Sequence, residues 1–176
     1  LIGILRKRAS VVAEKRTGWV IEPTTCPTGV RTNAATASMR AVFLDADDVG
    51  PWDDCLAALG EVGLVGLAYQ SGGHRPEAPR WRVVLPLAES FRVDGDDARV
   101  AWKKLYHRIR AIVGALGRLR GAGFDPRTDA PSHPWFLTER RDTADPPREV
   151  IFRPGASLDA VALCLALPSV RSDAER

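Results

Sequence analysis

The chain has 176 residues, 45% of them hydrophobic, which suits one domain with a proper core and is too little for two ordinary ones. Lys and Arg number 25 against 22 Asp and Glu, a net charge of +3 that permits a polyanionic partner without demanding one. Three scattered cysteines, Cys26, Cys55 and Cys164, argue against a disulfide framework and a zinc ribbon, and no apolar stretch reaches the length of a membrane span. The expected setting is therefore a reducing cytoplasm.

In residues 1–20, Arg6-Lys7-Arg8 and Lys15-Arg16 stand among Ile2, Ile4, Leu5, Val11 and Val12, a pattern that predicts a short basic amphipathic helix. Residues 24–38, rich in Thr, Ser, Gly and Pro, predict a loop. Residues 1–40 are expected to belong to the same domain as a core over 41–170, with 171–176 as a frayed tail. The chain opens on Leu1, so it is expected to be a piece of a longer protein. A strand over 41–46 follows, then a helix from Asp48 or Pro51 that ends near Gly60 or Gly63. The apolar run 62–70 predicts a buried strand, and 71–79 a Gly/Pro loop. The next strand, 79–87, sets Arg80, Arg82 and Val84 on one face and Trp81, Val83 and Leu85 on the other, in a hairpin with 62–70.

The clearest helix runs from 98 to 119, with Ala98, Ala101, Leu105, Ile109, Ile112, Leu116 and Leu119 as its apolar stripe. Lys103, Lys104, His107, Arg108 and Arg110 lie off that stripe, and no acidic residue occurs between Asp97 and Asp125. No i,i+4 pairing is available there, so this face is either solvated or meets an anion. Residues 124–141 predict a loop closing in a short strand over 135–138, with a further strand over 149–152. Ser157 is the expected cap of a last helix, 158–167. The order strand, helix, strand, strand, helix, strand is that of a ferredoxin-like or RNA-recognition-motif fold. It predicts an α+β architecture, with a mostly antiparallel mixed sheet and flanking helices.

Three features carry chemistry. The strand 41–46 ends in Asp45-x-Asp47, whose carboxylates project from one face about 7 Å apart. Two such charges repel unless a cation sits between them, and Mg²⁺ or Mn²⁺ is the usual one. The alternative is a polar strand end with Asp48 as helix cap. Next comes the Ser71-Gly72-Gly73-His74 loop, and then Phe124-Asp125, where Asp125 could equally be a turn residue before Pro126. No Gly-Lys-Ser/Thr follows the glycines, so this is not a P-loop, and Ser71 lacks the frame of a hydrolase nucleophile.

In this succession the chain resembles the archaeo-eukaryotic primase superfamily, in particular the primase-polymerase domains of phages, plasmids and other mobile elements. The resemblance covers about residues 40–140 and rests on DxD, the Ser–His loop, the RWRVVLPL strand and the hydrophobic-Asp pair. Two glycines separate Ser71 from His74 where the family usually has one residue. The resemblance implies template-directed nucleotidyl transfer from NTP or dNTP, with Asp45, Asp47 and Asp125 as metal ligands for Mg²⁺ or Mn²⁺ and Asp129 in reserve. It implies Ser71, His74, Arg80 and Arg82 at the nucleotide. The basic helix, through Lys103, Lys104 and Arg108, would then meet single-stranded DNA, and a helicase is the expected fused or associated partner. A non-catalytic replication or origin-binding module and a metal-dependent nuclease remain alternatives. His107 reads as a surface residue, and His133 is unassigned.

Overall fold

Side chains along a strand alternate between its two faces, and a continuous apolar run such as Ala41 to Leu44 marks a strand covered on both. In the computed structural model, Val42, Leu44 and Ala46 alternate in this way with Ala41, Phe43 and Asp45. The structure describes residues 20–21, 24–29, 32–47, 57, 60–61, 65–71, 73–116, 124–125, 128–133, 135–136, 149–160 and 162. Its strands are β1 (Val20–Ile21), β2 (Thr24–Thr25), β3 (Ser38–Asp47), β4 (Gly66–Gln70), β5 (Arg80–Arg92), β6 (Trp135–Phe136) and β7 (Val150–Arg153). The helix α1 spans Asp96–Leu116.

Five strands form one antiparallel sheet in the order β2-β3-β5-β4-β7, while β1 and β6 pair as a separate two-stranded ribbon. The expected hairpin of β4 and β5 is present, and β5 takes the central place between β3 and β4. The architecture is α+β, as expected. The strand near 135 forms, but outside the main sheet, and β7 occupies the edge beside β4. Thr24–Thr25, read from composition as loop, pairs with Ser38–Met39 at the opposite edge. The basic segment 1–19 and the tail after 162 lie outside the described residues. So does most of the helix expected after Asp48, of which residues 57, 60 and 61 are helical.

α1 packs on one face of the sheet, where Trp102, Tyr106, Ile109 and Val113 meet Val42, Leu44, Ala46, Ala68, Trp81, Val83 and Leu85. In its first turns the buried stripe differs from the one expected: Ala101 is exposed and Trp102 is 1% exposed. The two aromatic rings carry the largest apolar areas on the helix, and each has a polar tip that finds a partner when buried. Trp102 Nε1 donates to the Asp129 carbonyl at 3.0 Å, and the Tyr106 hydroxyl lies 3.0 Å from the Phe43 carbonyl. Gly95, at φ +96°, turns the chain from β5 into the helix, a conformation that L side chains rarely adopt. Asp96 and Asp97 in the first turn suit the positive end of the helix dipole.

Ala41, Phe43, Leu67, Tyr69, Val84 and Trp135 cover the other face. Past the end of β4, the segment around Leu158 continues the coverage of β5. The Leu158 amide donates to the Pro86 carbonyl at 2.7 Å, and the Ala88 amide to the Leu158 carbonyl at 2.9 Å. Leu158 is thus extended chain, and the cap of the following turn is Asp159, whose Oδ1 accepts from the Ala162 amide at 2.9 Å. Ser157 does not cap it. Among the described residues, no helix is long and apolar enough to cross a membrane.

Candidate functional site

The register between strands decides which side chains meet. On β3, Asp45 stands opposite Arg82 of β5, and Arg82 stands opposite Tyr69 of β4. One row further out, Asp47 pairs with Arg80, and the Ser71 amide donates to the Arg80 carbonyl at 2.9 Å. β3 and β4 therefore both end beside the start of β5. The two aspartates of the DxD, the two arginines of RWR and the serine of the loop share one end of the sheet. Asp47 takes its place here by backbone register alone.

Arg82 is 4% exposed. Its Nε donates to Asp45 Oδ1 at 3.4 Å, and its guanidinium carbon lies 5.5 Å from the Trp135 ring centroid and 6.0 Å from that of Tyr69. Trp135 packs in turn on Phe43 and His133, with centroids 5.0 Å and 4.7 Å away. The Tyr69 hydroxyl is buried and has no partner in hydrogen-bond geometry among the described residues. Burial pushes its phenol above the usual range, and the Arg82 guanidinium pulls the other way.

The loop after β4 is a tight turn, closed by the His74 amide donating to the Ser71 carbonyl at 3.0 Å. Ser71 and His74 are both buried. The Arg80 amide donates to His74 Nδ1 at 3.1 Å, which makes Nδ1 an acceptor and puts the proton of the neutral ring on Nε2. The ring stands edge-on to Trp81, 5.8 Å between centroids. Arg80 itself is exposed, and its side chain lies over Gly73, where a Cβ would stand 3.4 Å from Arg80 Cδ.

Asp125 reaches this end from the far side of α1. Phe124 bridges Ala46, and the Asp125 amide donates to the Asp45 carbonyl at 2.7 Å. The helix holds this segment down. Arg110 Nη1 donates to the Phe124 carbonyl at 2.9 Å, and the buried Thr128 hydroxyl donates to the Asp125 carbonyl at 2.9 Å. Thr128 Oγ1 also lies 2.6 Å from the Tyr106 hydroxyl. Asp129, the reserve, is engaged elsewhere: its Oδ2 lies 3.0 Å from His107 Nε2 and 3.3 Å from Lys103 Nζ. His107 is consequently half-buried and bonded, where the sequence suggested a surface residue. Lys103, expected on an unpaired face, also has its acid, supplied from a loop and not from the helix. Lys104 is exposed and Arg108 half-buried.

Hard oxygen donors at the end of β3, with Asp125 docked on the Asp45 backbone, are the chemistry that Mg²⁺ or Mn²⁺ prefers. Among the described residues, no three metal-capable side chains yet form a group. The charge found beside Asp45 there is the Arg82 guanidinium. A cleft of about 370 Å³ opens at the other end of β5, lined by Leu87, Phe91, Leu105, Leu158 and Asp159 among others, and none of the expected site residues lies in it. Tyr69, Tyr106 and Thr128 support the site without having been read from the sequence. The aromatic two residues before the Ser71 loop was the one available signal for Tyr69.

No family model and no curated protein matches the chain. Among solved structures it is similar to the AEP domain of the cyanophage S-2L primase-polymerase (PrimPol), with a TM-score of 0.56 and 19% sequence identity. The alignment covers 86% of this chain and 70% of that one. At this identity the likeness shows the fold: an α+β domain of the kind found in archaeo-eukaryotic primases.

Proposed function

We propose that this chain is a primase-type nucleotidyl transferase domain, which makes or extends primers on a single-stranded DNA template from NTP or dNTP. The observation that carries the reading is the meeting of Asp45, the docked Asp125 and the His74 turn at one end of the sheet, in a fold similar to a primase-polymerase domain. Mg²⁺ or Mn²⁺ would be held by Asp45, Asp47 and Asp125, and would supply activation of the 3′-hydroxyl and neutralisation of the departing pyrophosphate.

The remaining work falls to the chain. His74, its proton held on Nε2 by the Arg80 amide, donates a hydrogen bond to a phosphate oxygen of the incoming nucleotide. Arg80 adds a charge-assisted bond from the same side, and Ser71 shapes the turn that carries both. Lys104 and Arg108, with Lys103 behind them, hold the template backbone by charge. A helicase, fused or associated, would supply single strand to such a domain.

Labelled-nucleotide incorporation with Mn²⁺ or Mg²⁺, on primed and unprimed single strands, tests the reading. Extension of the primer is expected, and products on the unprimed strand identify a primase. Binding with no incorporation in either metal would leave a non-catalytic module, and shortening of the strand would make it a nuclease.

A further inference from the structure

Arg80 and Arg82 carry the same charge two residues apart on one strand, yet their surroundings differ in kind. Arg80 is exposed against Gly73, while Arg82 is 4% exposed beneath the rings of Tyr69 and Trp135. For Arg82 to reach a diffusing phosphate it would have to leave both rings and abandon Asp45, giving up a partly buried ion pair whose breakage is strongly unfavourable. Asp45 shows the complementary asymmetry. Its Oδ1 accepts from Arg82, its Oδ2 carries no hydrogen bond among the described residues, and its side chain keeps 21% exposure. A carboxylate tied down by one oxygen and open at the other is the arrangement that hydrogen-bonded metal ligands adopt.

We propose that Arg82 is a positioning residue for Asp45: its caged guanidinium fixes Oδ1 and so presents Oδ2 to the site, and phosphate contact belongs to Arg80 and His74. This rests on the reading of Asp45 as a metal ligand. The planar fork of Arg matters here as well as its charge, because the aromatic rings that flank it fix its plane.

Two measurements separate the roles. In the first, the variants Arg82→Met, Arg82→Lys and Arg80→Met are titrated with Mn²⁺, followed by the EPR signal of the free ion, and with tripolyphosphate in EDTA. Arg82→Met should loosen Mn²⁺ by about 10- to 100-fold, the usual range for removing such a support. It should change metal-free tripolyphosphate affinity by less than about two-fold, and Arg82→Lys should restore only part of the Mn²⁺ affinity. Arg80→Met should do the reverse. Loss of tripolyphosphate binding in Arg82→Met, with Mn²⁺ affinity intact, overturns the inference.

The second measurement needs no variant, and so stands even if Arg82→Met fails to fold. Phenylglyoxal labelling of the wild-type protein, mapped by mass spectrometry, should modify Arg80 and be blocked there by tripolyphosphate. Arg82 should stay unmodified in both conditions. Labelling of Arg82 that tripolyphosphate blocks sinks the inference alone. A wild-type protein that binds neither Mn²⁺ nor tripolyphosphate sinks the reading of the site, and the inference with it.

Discussion

The two faces of the sheet are built by the same strands and put to different uses. Toward α1, alternate positions carry Val42, Leu44, Ala46, Val83 and Leu85, all buried and all apolar. Toward Trp135, the alternate set begins apolar, with Ala41 and Phe43, and becomes polar as the strands reach their ends at Asp45 and Arg82. The first face holds the domain together. The second ends in the Asp45–Arg82 pair beside the rings of Tyr69 and Trp135, where the proposed site lies. Replacements on one face should therefore move stability, and replacements at the end of the other should move activity.

The largest expected effect is on activity. Asp125→Ala should reduce nucleotide incorporation to background while the amide and carbonyl of residue 125 keep the hydrogen bonds that dock this segment, so that the fold survives in circular dichroism. Near-normal turnover would remove Asp125 from the mechanism. The converse experiment is Trp102→Ala, which should cost about 3–5 kcal/mol in chemical denaturation, because a fully buried ring leaves a cavity. If Trp102→Ala loses activity without losing stability, the division between the faces is wrong.

Asp45 belongs to both categories. Neighbouring carboxylates repel one another, but Arg82 stands beside Asp45 and supplies the opposite charge. Asp45→Asn should thus abolish incorporation and also destabilise the metal-free protein, since it removes a carboxylate charge paired with the buried Arg82 guanidinium. Gain of stability on urea denaturation would mean that carboxylate repulsion outweighs the Arg82 pair.

How much of this could be read from residue order depends on the range of the interaction. The DxD strand, the hairpin and the opposed faces of RWRVV follow from alternation over adjacent residues, and each formed where alternation put it. Ile109 and Ile112 are buried as the apolar stripe of α1 predicts, while its first turns differ because counting apolar residues gives Ala101 the weight of Trp102, although the ring buries far more area. Asp129 and His107 could not be paired from sequence, since they stand 22 positions apart and the chain returns to the same helix only in three dimensions. Lys103 was misread for the same reason. Local charge patterns show which partners are missing from the helix, and not which are delivered by a loop.

A smaller effect concerns that loop. Thr128→Val keeps the shape of the side chain and removes the hydroxyl that links Tyr106 to the Asp125 carbonyl. Leaving those buried groups short of a partner should cost about 1–3 kcal/mol, read from the denaturation midpoint. Turnover should fall while nucleotide KM changes little, because the shift acts on Asp125 and not on the His74 turn. A rise in KM with unchanged kcat would place Thr128 on the nucleotide side.

The smallest expected effect lies on the outer face of α1, where two adjacent lysines differ only in their neighbours. Lys104 is exposed, whereas Lys103 Nζ lies 3.3 Å from Asp129 Oδ2. Binding of single-stranded DNA releases condensed counterions, and each phosphate contact contributes about 0.7 to the slope of log affinity against log salt. Lys104→Ala should lower that slope by about 0.7. Lys103→Ala should lower it by less, because a lysine already sharing its charge with a carboxylate neutralises a phosphate incompletely. It should also loosen the Asp129 segment slightly, by under about 1 kcal/mol for a pair this exposed. Slopes measured by fluorescence anisotropy from low to moderate salt provide the comparison. Equal decreases for the two lysines would mean that Asp129 releases Lys103 when DNA binds. No change for either would assign the helix face to solvent and move the template path elsewhere on the domain.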